Sequence, residues 1–111
     1  MKVLIIEDNS MLRGVYRLHL ESRGHEVVEA RILSVLPEFV ESPSTYLGQF
    51  DRVICHPRFP DVPPLQRELE RRKDFGVMVY KVDGPAEFDG RLRYKGFLDI
   101  KTLESFVENP L

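Results

Sequence analysis

Residues 1–30 read MKVLIIEDNSMLRGVYRLHLESRGHEVVEA, and they decide the fold. Val3-Leu4-Ile5-Ile6 is a short continuous apolar run that stops at Glu7-Asp8, the pattern of a buried strand. Asn9 or Ser10 can cap the helix that follows, because their side chains accept from the free amides of a first turn. Leu12, Val15, Tyr16 and Leu20 fall at i, i+3, i+4 and i+8 and share one face of that helix. Gly14 weakens it, Gly24 sits where a left-handed cap would end it, and Glu26–Ala30 reads as a second strand. Two carboxylates at the carboxyl end of the first strand are poorly placed for packing. They are well placed for chemistry, since open α/β sheets bind ligands at that edge.

The rest of the chain repeats the alternation. Arg31–Val40 is helix-like, with Leu33, Leu36 and Val40 on one side and Pro37 in its first turn or kinking it. Glu41–Gln49 holds Ser42, Pro43, Ser44 and Gly48 and reads as an irregular connection. Asp51–Cys55 contains a third strand. His56–Pro64 is a proline-rich turn, and Pro63 or Pro64 can open a helix that runs to about Lys73. That helix has a thin stripe, Leu65 and Leu69, with Glu68 and Arg72 paired at i, i+4. Val77–Val82 is a fourth strand, Asp83–Gly90 a loop on composition, and a fifth strand lies within Leu92–Leu98. Ile100–Glu108 closes as a helix with Leu103, Phe106 and Val107 inward. Strands alternating with helices predict a parallel sheet covered on both faces.

Composition narrows the function classes. The chain has 111 residues, 42% apolar and 31% charged, which fits one domain over residues 1–111. A net charge of −2 argues against nucleic acid or an anionic membrane as partner. No apolar run approaches a membrane span, and the first one is too short for a signal peptide. A lone cysteine, Cys55, leaves no internal disulfide and fits a reducing cytoplasm. In a buried strand it reads as inert core. His19 reads as a core-edge histidine, and the charge run Arg67–Asp74 as a solvated helix face. No glycine-rich phosphate loop and no Ser/His/Asp arrangement stands out.

The strand, acidic pair, helix, Gly24 and second strand of residues 1–30 closely resemble the opening of a response-regulator receiver domain. Residues 50–61, FDRVICHPRFPD, resemble that family's third strand and turn, with Pro60-Asp61 matching the turn. The resemblance implies an α/β three-layer sandwich of flavodoxin-like type, its five-stranded parallel sheet ordered 2-1-3-4-5. Too few residues separate the fourth and fifth strands for the family's usual helix there, so that helix is expected to be shortened or missing.

The resemblance also implies a site, and this chain departs from it. His56 occupies the position of the phosphoacceptor aspartate, so the carboxylate that would form an acyl phosphate is gone. Glu7 and Asp8 remain as an acidic pocket, where Asp8 would hold Mg2+ weakly at most, because that cation prefers several hard oxygen ligands. Lys81, or Val82, falls where the family has Ser or Thr. Lys95-Gly96-Phe97 is the best match to the family's lysine motif, with Gly96 for proline; a rival register puts Ile100 at the lysine position. His56 can also simply fill a turn, hydrogen-bonded to Asp8, and Asp8 can pair with Lys95.

The expected function follows: an atypical receiver, not an enzyme, that signals by protein–protein contact in the cytoplasm without cofactor and without aspartyl phosphorylation. The alternatives are a working phosphoreceiver using Asp61 or His56, and a small enzyme or ligand-binding protein reusing the pocket. The partner is another protein or a second copy, through a surface of Phe88, Leu92, Tyr94 and the last helix.

Overall fold

The computed structural model describes residues 1–56, 62–80, 91–95 and 98–111, with 94 and 95 as backbone only. Five strands form one parallel sheet: β1 (Lys2–Ile6), β2 (Glu26–Ala30), β3 (Arg52–Cys55), β4 (Gly76–Tyr80) and β5 (Leu92–Lys95). Their order is β2-β1-β3-β4-β5, as the sequence predicts. The helices are α1 (Ser10–Ser22), α2 (Pro37–Glu41), α3 (Pro43–Leu47), α4 (Val62–Arg71) and α5 (Ile100–Glu108).

Side chains alternate across a strand, and the core divides accordingly. Leu4, Ile6, Val53, Cys55, Val77 and Val79 face one way, into a core with Leu33, Phe39, Leu47, Leu65 and Leu69 from the α2–α4 side. Val3, Ile5, Ile54, Met78 and Tyr80 face the other, against Tyr16 and Leu20 of α1 and Leu103, Phe106 and Val107 of α5. Burial on both faces explains why β1, β3 and β4 read as continuous apolar runs. Both long capped helices start as their sequences suggest. Asn9 accepts from the amides of Met11 (2.9 Å) and Leu12 (3.2 Å), and Asp99 accepts from Thr102 (2.7 Å). Gly24 has φ 90°, a left-handed conformation that other residues adopt only with strain.

Residues 31–49 differ from expectation. In place of one helix and an irregular connection there are a 3-10 turn at Leu33–Val35 and two short helices, each with a proline at its start. Pro37 and Pro43 lack the amide that would continue a helix through them, so each begins a new one. Leu33 is buried and Leu36 packs against the core as expected, but Phe39 is buried in place of Val40, which is exposed. On α1, Val15 is likewise exposed while Tyr16 and Leu20 are buried. The run Arg67–Asp74 is not a solvated face throughout, because Glu68 is 2% exposed and pairs with Arg71 (2.6 Å) and Arg72 (3.2 Å).

The expected Asp83–Gly90 loop, and with it the shortened helix between β4 and β5, lies outside the described residues. So do Pro60, Asp61, Lys81, Val82, Phe88, Gly96 and Phe97, and the side chains of Tyr94 and Lys95.

Candidate site at the carboxyl edge of the sheet

The strand registers bring the chemistry-bearing residues to one edge. Ile6 pairs with Cys55 and Cys55 with Val79, so Glu7, His56 and Tyr80 follow at the ends of β1, β3 and β4. The His56 amide donates to Ile6 O at 2.8 Å, which fixes this alignment. Tyr80 pairs with Lys95, the last residue of β5. The alternation that sends Val3, Ile5, Ile54 and Met78 toward α1 and α5 sends Glu7, His56 and Tyr80 the same way.

Glu7 is almost fully buried, at 2% exposure. Its Oε1 accepts from the Tyr80 hydroxyl at 2.6 Å and its Oε2 from the Asn9 amide at 3.1 Å. Its backbone is held as well: the amide donates to Ala30 O at 3.0 Å, and its carbonyl accepts from Arg13 at 2.7 Å. A 2.6 Å bond from a phenol to a carboxylate is in the range of charge-assisted hydrogen bonds. Burial first, and then the bond to Glu7, push the Tyr80 phenol well above the usual tyrosine range, so it remains the donor. Tyr16 is raised in the same direction, by burial and then by the charge of Glu7. Its ring meets Tyr80 edge-on at 6.0 Å.

His56 is half-buried beside this pair, its ring edge-on to Tyr80 at 5.8 Å. Its Nδ1 is buried without a hydrogen-bond partner, so the expected bond to Asp8 is not made through that atom. Asp8 faces outward, half-exposed, and its carboxylate lies 3.5 Å from the Arg31 guanidinium. The two adjacent acids therefore have different surroundings. Among the described residues, no group of three or more His, Cys, Asp or Glu could hold a metal ion.

At the level of sequence, no protein-family model matches the chain, and no curated protein is a significant match. Solved structures are similar. The receiver domain of the hybrid histidine kinase CckA matches with a TM-score of 0.69 at 25% identity, over 97% of this chain and 96% of that one. This is the fold of a response-regulator receiver domain. A receiver domain protein from Clostridium thermocellum matches at 0.65 and 20% identity, covering 97% and 91% of the two chains. A structure of histidine kinase ThkA in complex with the response regulator protein TrrA matches at 0.68 and 15% identity, covering 96% and 95%.

Against the receiver pattern, Glu7 and Asp8 stand after β1 and His56 stands directly after β3, where the resemblance put them. Lys95 ends β5, in the preferred register. Tyr80 is absent from the residues the sequence singles out. Its signal was available in the alternation Val77, Met78, Val79, Tyr80, which aims the last hydroxyl of β4 toward the same side as Glu7 and His56. Leu92, expected on an exposed surface, is 4% exposed and belongs to the core on the α2–α4 side. Being at an edge strand does not expose it, because its side chain points into the packed layer. Cys55 is fully buried, with its thiol 3.2 Å from His56 O. His19 is half-buried at the α1–α5 seam, its Nε2 2.6 Å from Glu104.

Proposed function

We propose that residues 1–111 act as one receiver-fold signalling domain that works through protein contact, without taking a phosphoryl group on a carboxylate after β3. The single observation that carries this reading is His56, whose imidazole stands at the strand end where the family's acyl phosphate would form. Imidazole cannot form an acyl phosphate, and it replaces a hard oxygen ligand with a nitrogen. Glu7, engaged by Tyr80 and Asn9, supports the reading further.

A protein partner fits the exposed apolar side chains. Among the described residues Met11, Val15 and Leu18 are exposed, and they recur at i, i+4 and i+7 along α1. A contiguous exposed apolar stripe of this kind can serve as a contact with another protein. TrrA, which shares the fold, is seen with a histidine kinase; a signalling protein of that class is the partner we favour over self-association. The cytoplasm is the proposed location, because the lone Cys55 fits a reducing compartment. No helix among the described residues is long and apolar enough to cross a membrane. No catalytic role is proposed.

Incubation with acetyl phosphate and Mg2+, followed by intact mass, tests the phosphorylation half. No added phosphoryl group is the expected result, and an added one that is lost in mild base would refute it. Sedimentation and pull-down with Met11→Ser and Leu18→Ser variants test the contact half, with weakened association expected.

A further inference from the structure

The α2–α4 side of the molecule carries a cleft and, on the next element, an acidic ridge. The cleft lies between α3 and α4, has a volume of about 350 Å3, and has Pro43, Leu47 and Pro64 as its apolar lining. Leu47 is fully buried and forms the floor. A proline on each wall fixes the local backbone, so the shape is largely preformed. Arg67 and Arg71, about one helical turn apart on α4, also line it, and among the lining residues Glu68 is the single acid. Glu68 does not balance both arginines. Its two oxygens accept from Arg71 at 3.0 and 2.6 Å and from Arg72 at 3.2 Å. Arg67 is exposed and forms no ion pair with any described residue. The cleft thus offers an apolar floor beside one uncompensated guanidinium.

The ridge is α2. Glu38, Val40 and Glu41 are exposed on it, Val40 at 60%. Neither glutamate forms an ion pair with a described residue. α2 packs on α3 through Phe39 and Tyr46, whose rings meet edge-on at 6.2 Å. Burial first, and then the charge of Glu38, raise the Tyr46 phenol, so Glu38 lies toward α3. Glu41 stands two residues before Pro43 of the cleft wall. An apolar side chain flanked by acids suits the cleft, and this chain presents one beside it. Two patches of opposite charge on one face are self-complementary under a two-fold axis, because each copy's ridge then meets the other's cleft. A small free anion is served less well, since a single unpaired guanidinium converges on it.

We propose that the α2–α4 face is a self-association surface, on which Val40 of one copy enters the α3–α4 cleft of a second while Glu41 meets the Arg67 of that second copy. The exposed stripe of α1 is on the opposite side of the sheet and stays open for the signalling partner. The inference goes beyond the functional reading and does not rest on it.

The test is sedimentation equilibrium of wild type, Val40→Ser, Arg67→Glu, Glu41→Lys and the variant carrying both charge reversals. All three positions are exposed, so the fold is expected to survive, with circular dichroism as the check. Wild type is expected to dimerise, and more weakly at high salt. Val40→Ser is expected to weaken the dimer by removing the side chain that fills the cleft. Each single reversal sets like charges together at both ends of a symmetric interface and is expected to weaken the dimer at least about tenfold. The double reversal inverts the pair and is expected to recover association. An equimolar mixture of Arg67→Glu with Glu41→Lys is expected to recover it too, because in the mixed dimer every such contact is again between opposite charges. A wild type that stays monomeric at every concentration would overturn the proposal. So would a dimer that neither reversal weakens, a loss that mixing does not restore, or a dimer that Leu18→Ser disrupts and Arg67→Glu does not. The functional reading fails on a different result, a base-labile phosphoryl group on wild type.

Discussion

Glu7 and Glu68 are each 2% exposed, and they are buried for different reasons. Glu68 holds Arg71 and Arg72, and Arg72 in turn donates to Phe50 O (2.9 Å) and Leu47 O (3.3 Å). It thereby ties α4 to α3 and to the chain entering β3. Glu68→Gln is expected to cost about 1–3 kcal/mol in chemical denaturation, because a buried carboxylate that organises two cations is lost while the partly exposed cations can still reach water. Glu7 accepts from a phenol and from a backbone amide. Tyr80→Phe is expected to cost about 1–3 kcal/mol, the worth of a hydrogen bond to a charged group, with the fold retained by circular dichroism. The sequence shows the i, i+4 pairing of Glu68 with Arg72 but not the burial of Glu68, and it does not show the role of Tyr80. Glu68 stands in a charge run, and composition cannot distinguish the one member of such a run that turns inward. Tyr80 ends a strand of apolar residues and reads as one more core ring until the register shows what its hydroxyl reaches. His56 was legible, because the motif FDRVICHP carries strand and turn together.

At the scale of elements, strands were easier to read than helices. β1, β3 and β4 are buried on both faces, so their runs are unbroken and their ends abrupt. β2 and α5 were read with the observed bounds, since a glycine and an aspartate cap mark where each begins. Residues 31–49 resisted because period alone does not say which proline interrupts a helix and which starts one. Here both start one. Two glycines, one within α1 and one just past its end, have opposite roles. A Cβ on Gly14 would meet nothing within 4 Å, so Gly14→Ala is expected to raise stability by about 0.5–1 kcal/mol through helix propensity. Gly24, just past the helix end, has space for a Cβ but a φ of 90°. Gly24→Ala is expected to lose about 1 kcal/mol from backbone strain. Paired thermal melts would reverse this reading if both substitutions shifted Tm in the same direction.

The whole molecule is closed where its first and last helices meet. Arg52, buried at 3%, donates from β3 to Phe106 O and Asn109 O, which anchors the end of α5 under the sheet. Burial lowers its pKa first, with Asp51 and Asp74 opposing. Higher on the seam, Glu104 takes His19 at 2.6 Å and Arg23 at 3.7 Å. Glu108 pairs with Arg23 and accepts from His25 at 3.3 Å, while His25 Nδ1 meets the Met1 amine at 3.2 Å. Arg23 above all, and then His25, hold the Glu108 carboxyl down at about 2, against an ordinary value of 4.5. A carboxyl depressed on folding stabilises fully above its unfolded value, and that contribution is lost as pH falls through its folded value. The seam should therefore weaken between about pH 4.5 and about pH 2. Glu108 is exposed, so the effect is screened by water and salt and stays small. Thermal unfolding of wild type and Glu108→Gln across that range, at low and high ionic strength, reads it directly. The expected outcome is a Tm difference between the two proteins that is largest near neutral pH and low salt, and that closes as the solution is acidified toward pH 2. A difference independent of pH would mean that the carboxylate acts by packing alone and that charge pairing contributes nothing to holding α5 on α1.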